Sequence, residues 1–301
     1  MLKNDEWKII KISAGDQNRN IGDDCFVWNE KKLVVTTDHM CEKTHFDLSF
    51  MPPESVGWRL MAANASDIIS MGSVPTHVLV NIAVPSGGID LAEKMIKGAL
   101  KFLDKYGIKI VGGDTTAAPF FMMGATMFGE KPEKPLLRSG AKPGDSIFIS
   151  SFPGLPKCGL LHLQNNTPGF ELSKKRFLFP DPFETAPGNP HILNGAIDIS
   201  DSLVSELTLL ALASKVHLKI DLDAIPVAEE VEKTSKLYNI PVEELLLGSG
   251  EEFFLLFTSG NKPDGAYEIG QVYETMEFGV EMFDKNGAFD FSHITPFLHF
   301  G

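Results

Sequence analysis

Ala62-Ala63-Asn64-Ala65-Ser66-Asp67-Ile68-Ile69-Ser70-Met71-Gly72 reads as the second half of a helix that begins near Ser55. Leu60, Ala63, Asp67 and Met71 fall at i, i+3, i+7 and i+11, which is one face of that helix. The face is otherwise apolar and made of small residues, so it is expected to pack closely on a neighbour. Asp67 sits in the middle of it. A carboxylate in an apolar stripe is costly unless it is hydrogen-bonded, paired or bound to a metal. The helix alone leaves two readings open, a structural acceptor or a metal ligand.

Working outward, residues 32–37 (KLVVTT) form a β-branched run that predicts a strand ending at Asp38. Residues 76–84 predict a second strand, closed by Pro85 and a Gly87-Gly88 turn. Asp90 is the expected N-cap of a helix over 91–106, whose Leu91, Met95, Ala99 and Leu103 share a face and which Gly107 stops. A short strand over 108–111 then runs into Gly112-Gly113-Asp114-Thr115-Thr116, and another strand covers 120–129. Strand, helix, strand, helix, strand, strand is an α/β unit. A short helix is expected over 5–12.

Pro132, Pro135, Gly140, Pro143 and Gly144 mark a boundary that divides the chain into domains 1–135 and 136–301. Beyond it, strands are expected at 146–151, 196–199, 216–220 and 252–258, and helices at 202–214 and 241–247. Asn286-Gly287 predicts a hairpin turn, and 153–189 reads as irregular, being rich in Pro and Gly. The second half repeats the α/β character of the first without repeating its sequence.

The 301 residues carry a net charge of −13, which argues against nucleic acid and anionic membrane as partners. Anionic ligands remain possible if cations lie between. Arg19, Arg59, Arg138 and Arg176 are the four arginines, so any guanidinium grip on phosphate comes from among them. Cys25, Cys41 and Cys158 are odd in number and widely spaced, which fits a reducing cytosol better than a disulfide framework. The first residues lack the apolar run of a signal peptide, and no segment is apolar enough to span a bilayer.

Asp24, Asp38, Asp114, Asp198 and Asp201 stand in short Gly, Ser or Thr contexts beside apolar strands. One such Asp is an ordinary turn residue. Five of them, with Asp67, make an oxygen-only donor set of the kind hard divalent cations prefer, and Thr36 and Thr37 add oxygens beside Asp38. Gly112-Gly113-Asp114 offers close backbone approach to a phosphate. The chain has no P-loop and no kinase HRD or DFG pair.

These blocks carry a resemblance. Ile21-Gly22-Asp23-Asp24, Thr36-Thr37-Asp38 with His45-Phe46, Asn64-Ala65-Ser66-Asp67 with Met71-Gly72, and Gly112-Gly113-Asp114-Thr115-Thr116 occur in family order. Arg138-Ser139-Gly140-Ala141-Lys142-Pro143-Gly144-Asp145, Ile197-Asp198-Ile199-Ser200-Asp201 and Gly250-Glu251-Glu252 continue it. Together they resemble the thiamine-monophosphate kinases, in the superfamily of aminoimidazole ribonucleotide synthetase and selenophosphate synthetase.

The resemblance implies a two-domain α/β (α+β) fold of the aminoimidazole ribonucleotide synthetase type, with mixed sheets flanked by helices, and a homodimer. It implies ATP and several Mg²⁺ ions, with thiamine monophosphate as phosphoryl acceptor. By matching position, Asp24, Thr36, Thr37, Asp38, Asp67, Asp114, Asp198 and Asp201 would serve the metals. Gly113, Asp114, Arg138 and Ser200 would lie near ATP, and His45, Glu251 and Phe297 would meet the thiamine substrate. Bland alternatives stand beside these: His45 capping a strand end, Arg138 pairing with Asp145. Three positions depart from the family pattern. Ser202 replaces a Gly, Glu252 replaces an Asp, and Phe179-Pro180-Asp181-Pro182-Phe183 lacks the two arginines of an Arg-Pro-x-Pro-Arg element. Lys174, Lys175 and Arg176 are the nearest substitutes in sequence.

Overall fold

The computed structural model describes residues 22–294. The helix expected over 5–12 and the candidate Phe297 lie outside those residues. Two mixed sheets flanked by helices make up the chain, as the sequence led us to expect. The strands of the first are β1 (Phe26–Trp28), β2 (Leu33–Cys41), β3 (Pro75–Val84), β4 (Lys109–Ala117) and β5 (Met122–Glu130), in the order β1-β2-β5-β3-β4. Its other elements are the helices α1 (Pro53–Ser70) and α2 (Ile89–Tyr106). The β3–β4 pair is parallel because α2 crosses between them; the other pairs are antiparallel.

α1 is the axis of this half. Pro53 starts it, at a position whose N–H would lack a helical partner in any case, and Glu54 places a negative charge in the first turn. Gly72, at φ +72°, turns the chain away after Met71. Residues 55–66 are buried without exception, so the helix is surrounded, where the sequence suggested one packed stripe. The expected close neighbour is α2. A Cβ on Gly57 would stand 1.9 Å from the Met95 carbonyl oxygen, and one on Gly98 would stand 1.8 Å from that of Glu54. Backbone touches backbone there, which only glycine permits.

The second sheet takes seven strands: β6 (Ser146–Ile149), β7 (Ala196–Asp198), β8 (His217–Asp221), β9 (Leu255–Ser259), β10 (Tyr267–Tyr273), β11 (Gly279–Asp284) and β12 (Gly287–Phe289). Their order is β12-β11-β8-β10-β6-β9-β7. The helices are α3 (Leu155–Gln164), α4 (Glu171–Leu178), α5 (Pro182–Thr185), α6 (Leu203–Ser214), α7 (Glu229–Tyr238) and α8 (Val242–Leu247). Leu207 and Leu210 of α6 pack with Ile147, Leu218, Ile220 and Leu256 in a separate core.

Four expectations are corrected. Asp90 is not the N-cap of α2; Gly88 holds that position and Asp90 lies in the first turn, where its charge still faces the helix N-terminus. Asp38 does not end β2, which continues to Cys41. The strand expected over 108–111 does not stop before Gly112; Gly112 to Thr116 continue it as β4. Residues 153–189 contain three helices, because Pro156 and Pro182 sit in the first turns of α3 and α5, where proline starts a helix. The hairpin at Asn286-Gly287 forms as expected, between β11 and β12.

Residues 179–183 join the halves. The Trp58 indole N–H donates to the Pro180 carbonyl at 2.7 Å, and its ring meets Phe179 edge-on at 5.8 Å. Phe183 stacks on Tyr106 at 3.8 Å, and Lys105 pairs with Asp181 at 2.6 Å. The segment without the family's two arginines is therefore an aromatic and ionic clasp.

Candidate active site

The carboxylates gather where α1 meets the end of β7. Thr36 Oγ1 donates to Asp67 Oδ2 at 2.5 Å, and Ser66 Oγ donates to Asp198 Oδ2 at 2.7 Å. Ser70, one turn beyond, donates to Asp24 Oδ2. Asp24 also receives Arg138, whose Nε and Nη2 reach one carboxylate oxygen at 2.8 and 2.5 Å. The Arg138 N–H donates to Asp23 Oδ1 at 2.7 Å. Asp145 is not the partner of Arg138; it accepts from the Lys142 amide, Asn194 and Thr258.

These acids repel one another. Asp67 keeps some contact with solvent, yet its pKa is held well above the ordinary carboxylate value, first by burial and then by Asp198, Asp38 and Asp24. Asp198, 3% exposed, is pushed up by burial and then by Asp24. Arg138 offsets only part of this charge. Such a set is strained without a cation and relieved by one. Among the described residues no three of these side chains already enclose a single point as a cage would. A small hard cation suits that arrangement, since it keeps water and phosphate oxygens among its ligands. The donor chemistry thus fits Mg²⁺, with Asp24, Asp38, Asp67 and Asp198 as the groups that would hold it.

The other expected residues divide. Asp201 and Ser200 sit on the turn between β7 and α6, next to the cluster. Ser202 N-caps α6, its Oγ accepting from the Ser205 amide at 3.1 Å, so the serine found in place of glycine has a capping role. Thr37 points away from the cluster: successive residues of a strand face opposite sides, and its hydroxyl donates to the Ala125 carbonyl. Gly113 and Asp114 lie on the exposed strand β4, paired with Val80 and Asn81. Asp38 aligns with Ala125 of β5, as does Val80, so β4 is three strands from Asp38, roughly 14 Å. The His45 ring accepts from the Cys41 amide at 3.1 Å, and Glu251 donates its amide to the Ser200 carbonyl at 2.6 Å. The Cys25 thiol is pushed up by burial and by Asp67, which makes it a packing residue with an Sγ–H to the Asp67 carbonyl.

Sequence reasoning gave no role to Ser66, Ser70 and Glu206, and weighed Arg59 only as a phosphate contact. Ser70 stands three residues after Asp67, on the same helical face, and that spacing was a usable signal. Glu206 is buried and accepts the amides of Asp201 and Ser202 at 3.0 Å each, fixing the turn that carries Asp201; only its place in the first turn of a helix hinted at this.

The comparisons with known proteins agree with this geometry. Residues 22–130 match the model of the AIR synthase related protein, N-terminal domain. The thiamine-monophosphate kinase of Pyrococcus horikoshii is 35% identical over 276 residues, 86% of this chain and 83% of the relative. That of Escherichia coli K12 is 30% identical over 86% of this chain and 82% of its own. The structure of AaThiL complexed with AMPPCP and TMP superposes with a TM-score of 0.82 at 30% identity, covering 92% of each chain. Escherichia coli HypE, a hydrogenase maturation protein, shares the fold at 19% identity with a TM-score of 0.70. With relatives matched along most of both chains and the acidic blocks set in the same architecture, the protein belongs to the thiamine-monophosphate kinases and is a phosphotransferase.

Proposed function

We propose that the protein transfers the γ-phosphoryl group of ATP directly, in line, to thiamine monophosphate, giving thiamine diphosphate and ADP, with several Mg²⁺ ions at the carboxylates. The observation that carries this reading is the mutual repulsion of Asp24, Asp67 and Asp198 at the seam between the two halves. The relative solved with AMPPCP and TMP supports the choice of substrates.

The acceptor is a phosphate oxygen, already anionic near neutral pH because its second pKa is about 6. No general base is required. The ions supply charge neutralisation between two anionic groups and stabilise the transferring one. The protein's own contribution is placement. Ser66, Thr36 and Ser70 fix the orientation of Asp198, Asp67 and Asp24 by hydrogen bonds, and Arg138 adds a cation beside Asp24. Ser200 and Asp201 lie on a turn that Glu206 holds. On a division into domains 1–135 and 136–301, Asp24, Asp38 and Asp67 would belong to the first and Asp198 to the second.

The reading includes a homodimer. β4 is an unpaired edge strand whose Ile110 and Val111 are exposed. A second copy along this edge would bring its Gly113 and Asp114 toward the first copy's cluster, which accounts for their distance from it within one chain. Purified protein given Mg-ATP and thiamine monophosphate is expected to form thiamine diphosphate, and to stop when the cation is chelated. Protein that binds ATP yet forms none under saturating Mg-ATP overturns the reading.

A further inference from the structure

Arg59 is the least accountable charge in the molecule. Its side chain is fully buried, and a buried guanidinium survives only with partners. It pairs with Glu251 through Nη2, donates from Nη1 to the His45 carbonyl at 3.0 Å, and lies over the Phe177 ring at 4.5 Å. Four separate stretches of chain therefore meet on one side chain: α1, the turn after β2, α4, and the loop before β9. The Nε has no partner, so the group is held for where its two amino ends point.

What Arg59 holds is itself under strain. Glu251 adopts φ +55°, a left-handed conformation that costs a non-glycine residue about 1 kcal/mol or more. Its amide is tied to Ser200, and a Cβ on the preceding Gly250 would stand 2.6 Å from the Asp201 carbonyl oxygen. The loop is thus pressed against the turn that carries Ser200 and Asp201, while the Glu251 side chain remains 30% exposed. Surrounding structure maintains a costly backbone here to present one carboxylate. Arg59 engages Oε1, and the carboxylate stays partly open to solvent.

The helix sets the spacing. Arg59 stands eight residues before Asp67 on α1, about 12 Å along its axis. That is the scale of a small phosphorylated heterocycle with its phosphate at the acids and its ring further along. The acceptor proposed above ends in a cationic thiazolium, for which a fixed carboxylate is the natural electrostatic partner.

We propose that Arg59 is a positioning residue for the acceptor: it fixes the Glu251 carboxylate and the His45 main chain in the arrangement that receives the acceptor's organic, cationic end. This rests on the thiamine monophosphate reading. It acts on recognition of the acceptor and leaves the nucleotide and the phosphoryl transfer to the acids.

Steady-state kinetics on the full chain test it, with both substrates varied. Arg59→Met is expected to raise the KM for thiamine monophosphate about 10- to 100-fold, with kcat and the KM for ATP changed less than about threefold. Glu251→Gln is expected to raise the same KM, and the double variant to be no worse than Arg59→Met, since both remove one contact. Should Arg59→Met fail to fold, the double variant removes the carboxylate left unpaired, and Arg59→Lys keeps the charge; either then carries the measurement. A fall in kcat at constant KM, an equal shift for ATP, or fully additive effects overturn the proposal alone. A wild type that forms no thiamine diphosphate overturns the acceptor reading, and this proposal with it.

Discussion

Two sets of buried acids behave differently, though Asp67 and Asp198 in one and Glu206 and Glu252 in the other all have raised pKa values. In the seam, Asp24, Asp67 and Asp198 crowd one another, and their hydrogen bonds come mainly from Ser, Thr and Arg138 side chains. In the second half, Glu206 and Glu252 are pushed up to about 8 chiefly by burial, and each stands against backbone amides: Asp201 and Ser202 for one, Gly154 for the other. Acids that face each other suit the cation proposed above. Acids that face amides hold loops. Burial alone does not tell the two apart; the identity of the neighbours does.

The sharpest way to break this comparison is Asp67→Asn. Removing one of several repelling charges is expected to lower kcat about 10³-fold, the scale of losing one electrostatic contact to a transferring group. The thermal midpoint is expected to hold or rise. An unfolded or fully active variant would return Asp67 to the structural class.

Apo-protein stability against pH separates the two sets directly. Asp67, Asp198, Glu206 and Glu252 bind protons more tightly folded than unfolded. Their stabilisation is complete below the unfolded values near 4 and is lost as pH rises toward the folded ones. Each contributes a slope of up to about 1.4 kcal/mol per pH unit. Urea midpoints between pH 5 and 8 are expected to fall, and Mg²⁺ to restore the aspartate part alone. Glu252→Gln is expected to flatten the slope that remains in Mg²⁺. Equal rescue of both parts by the cation would dissolve the distinction.

A smaller effect tests the clasp between the halves. Trp58→Phe leaves the Pro180 carbonyl unpaired and is expected to cost about 2 kcal/mol of stability, with kcat nearly unchanged. A large loss of activity would show that the 179–183 segment takes part in the reaction.

The acid-bearing stretches were legible because a carboxylate in an apolar helix, or beside a strand end, breaks a local pattern. Asp24, Asp67 and Asp198 declared themselves in this way. Helices α3 to α5 did not, since Gly154, Pro156 and Pro182 look like loop punctuation until the first turn of a helix is recognised around them. Arg59 and Glu251 lie 192 residues apart, and no local rule pairs them. Asp114 was legible as an acid but not as a member of an exposed strand, because Gly112-Gly113 suggests a turn wherever it stands.

The contact of Gly57 and Gly98 with the facing backbone means that α1 has no slack. A residue of any other size at either glycine must displace the helix as a rod, carrying Arg59, Ser66, Asp67 and Ser70 by the same step. On the acceptor reading proposed above, the site would be a gauge of fixed length, ruled on a single helix. A molecule with its phosphate a few ångströms nearer to its ring, or farther from it, would then meet a mismatch at one end.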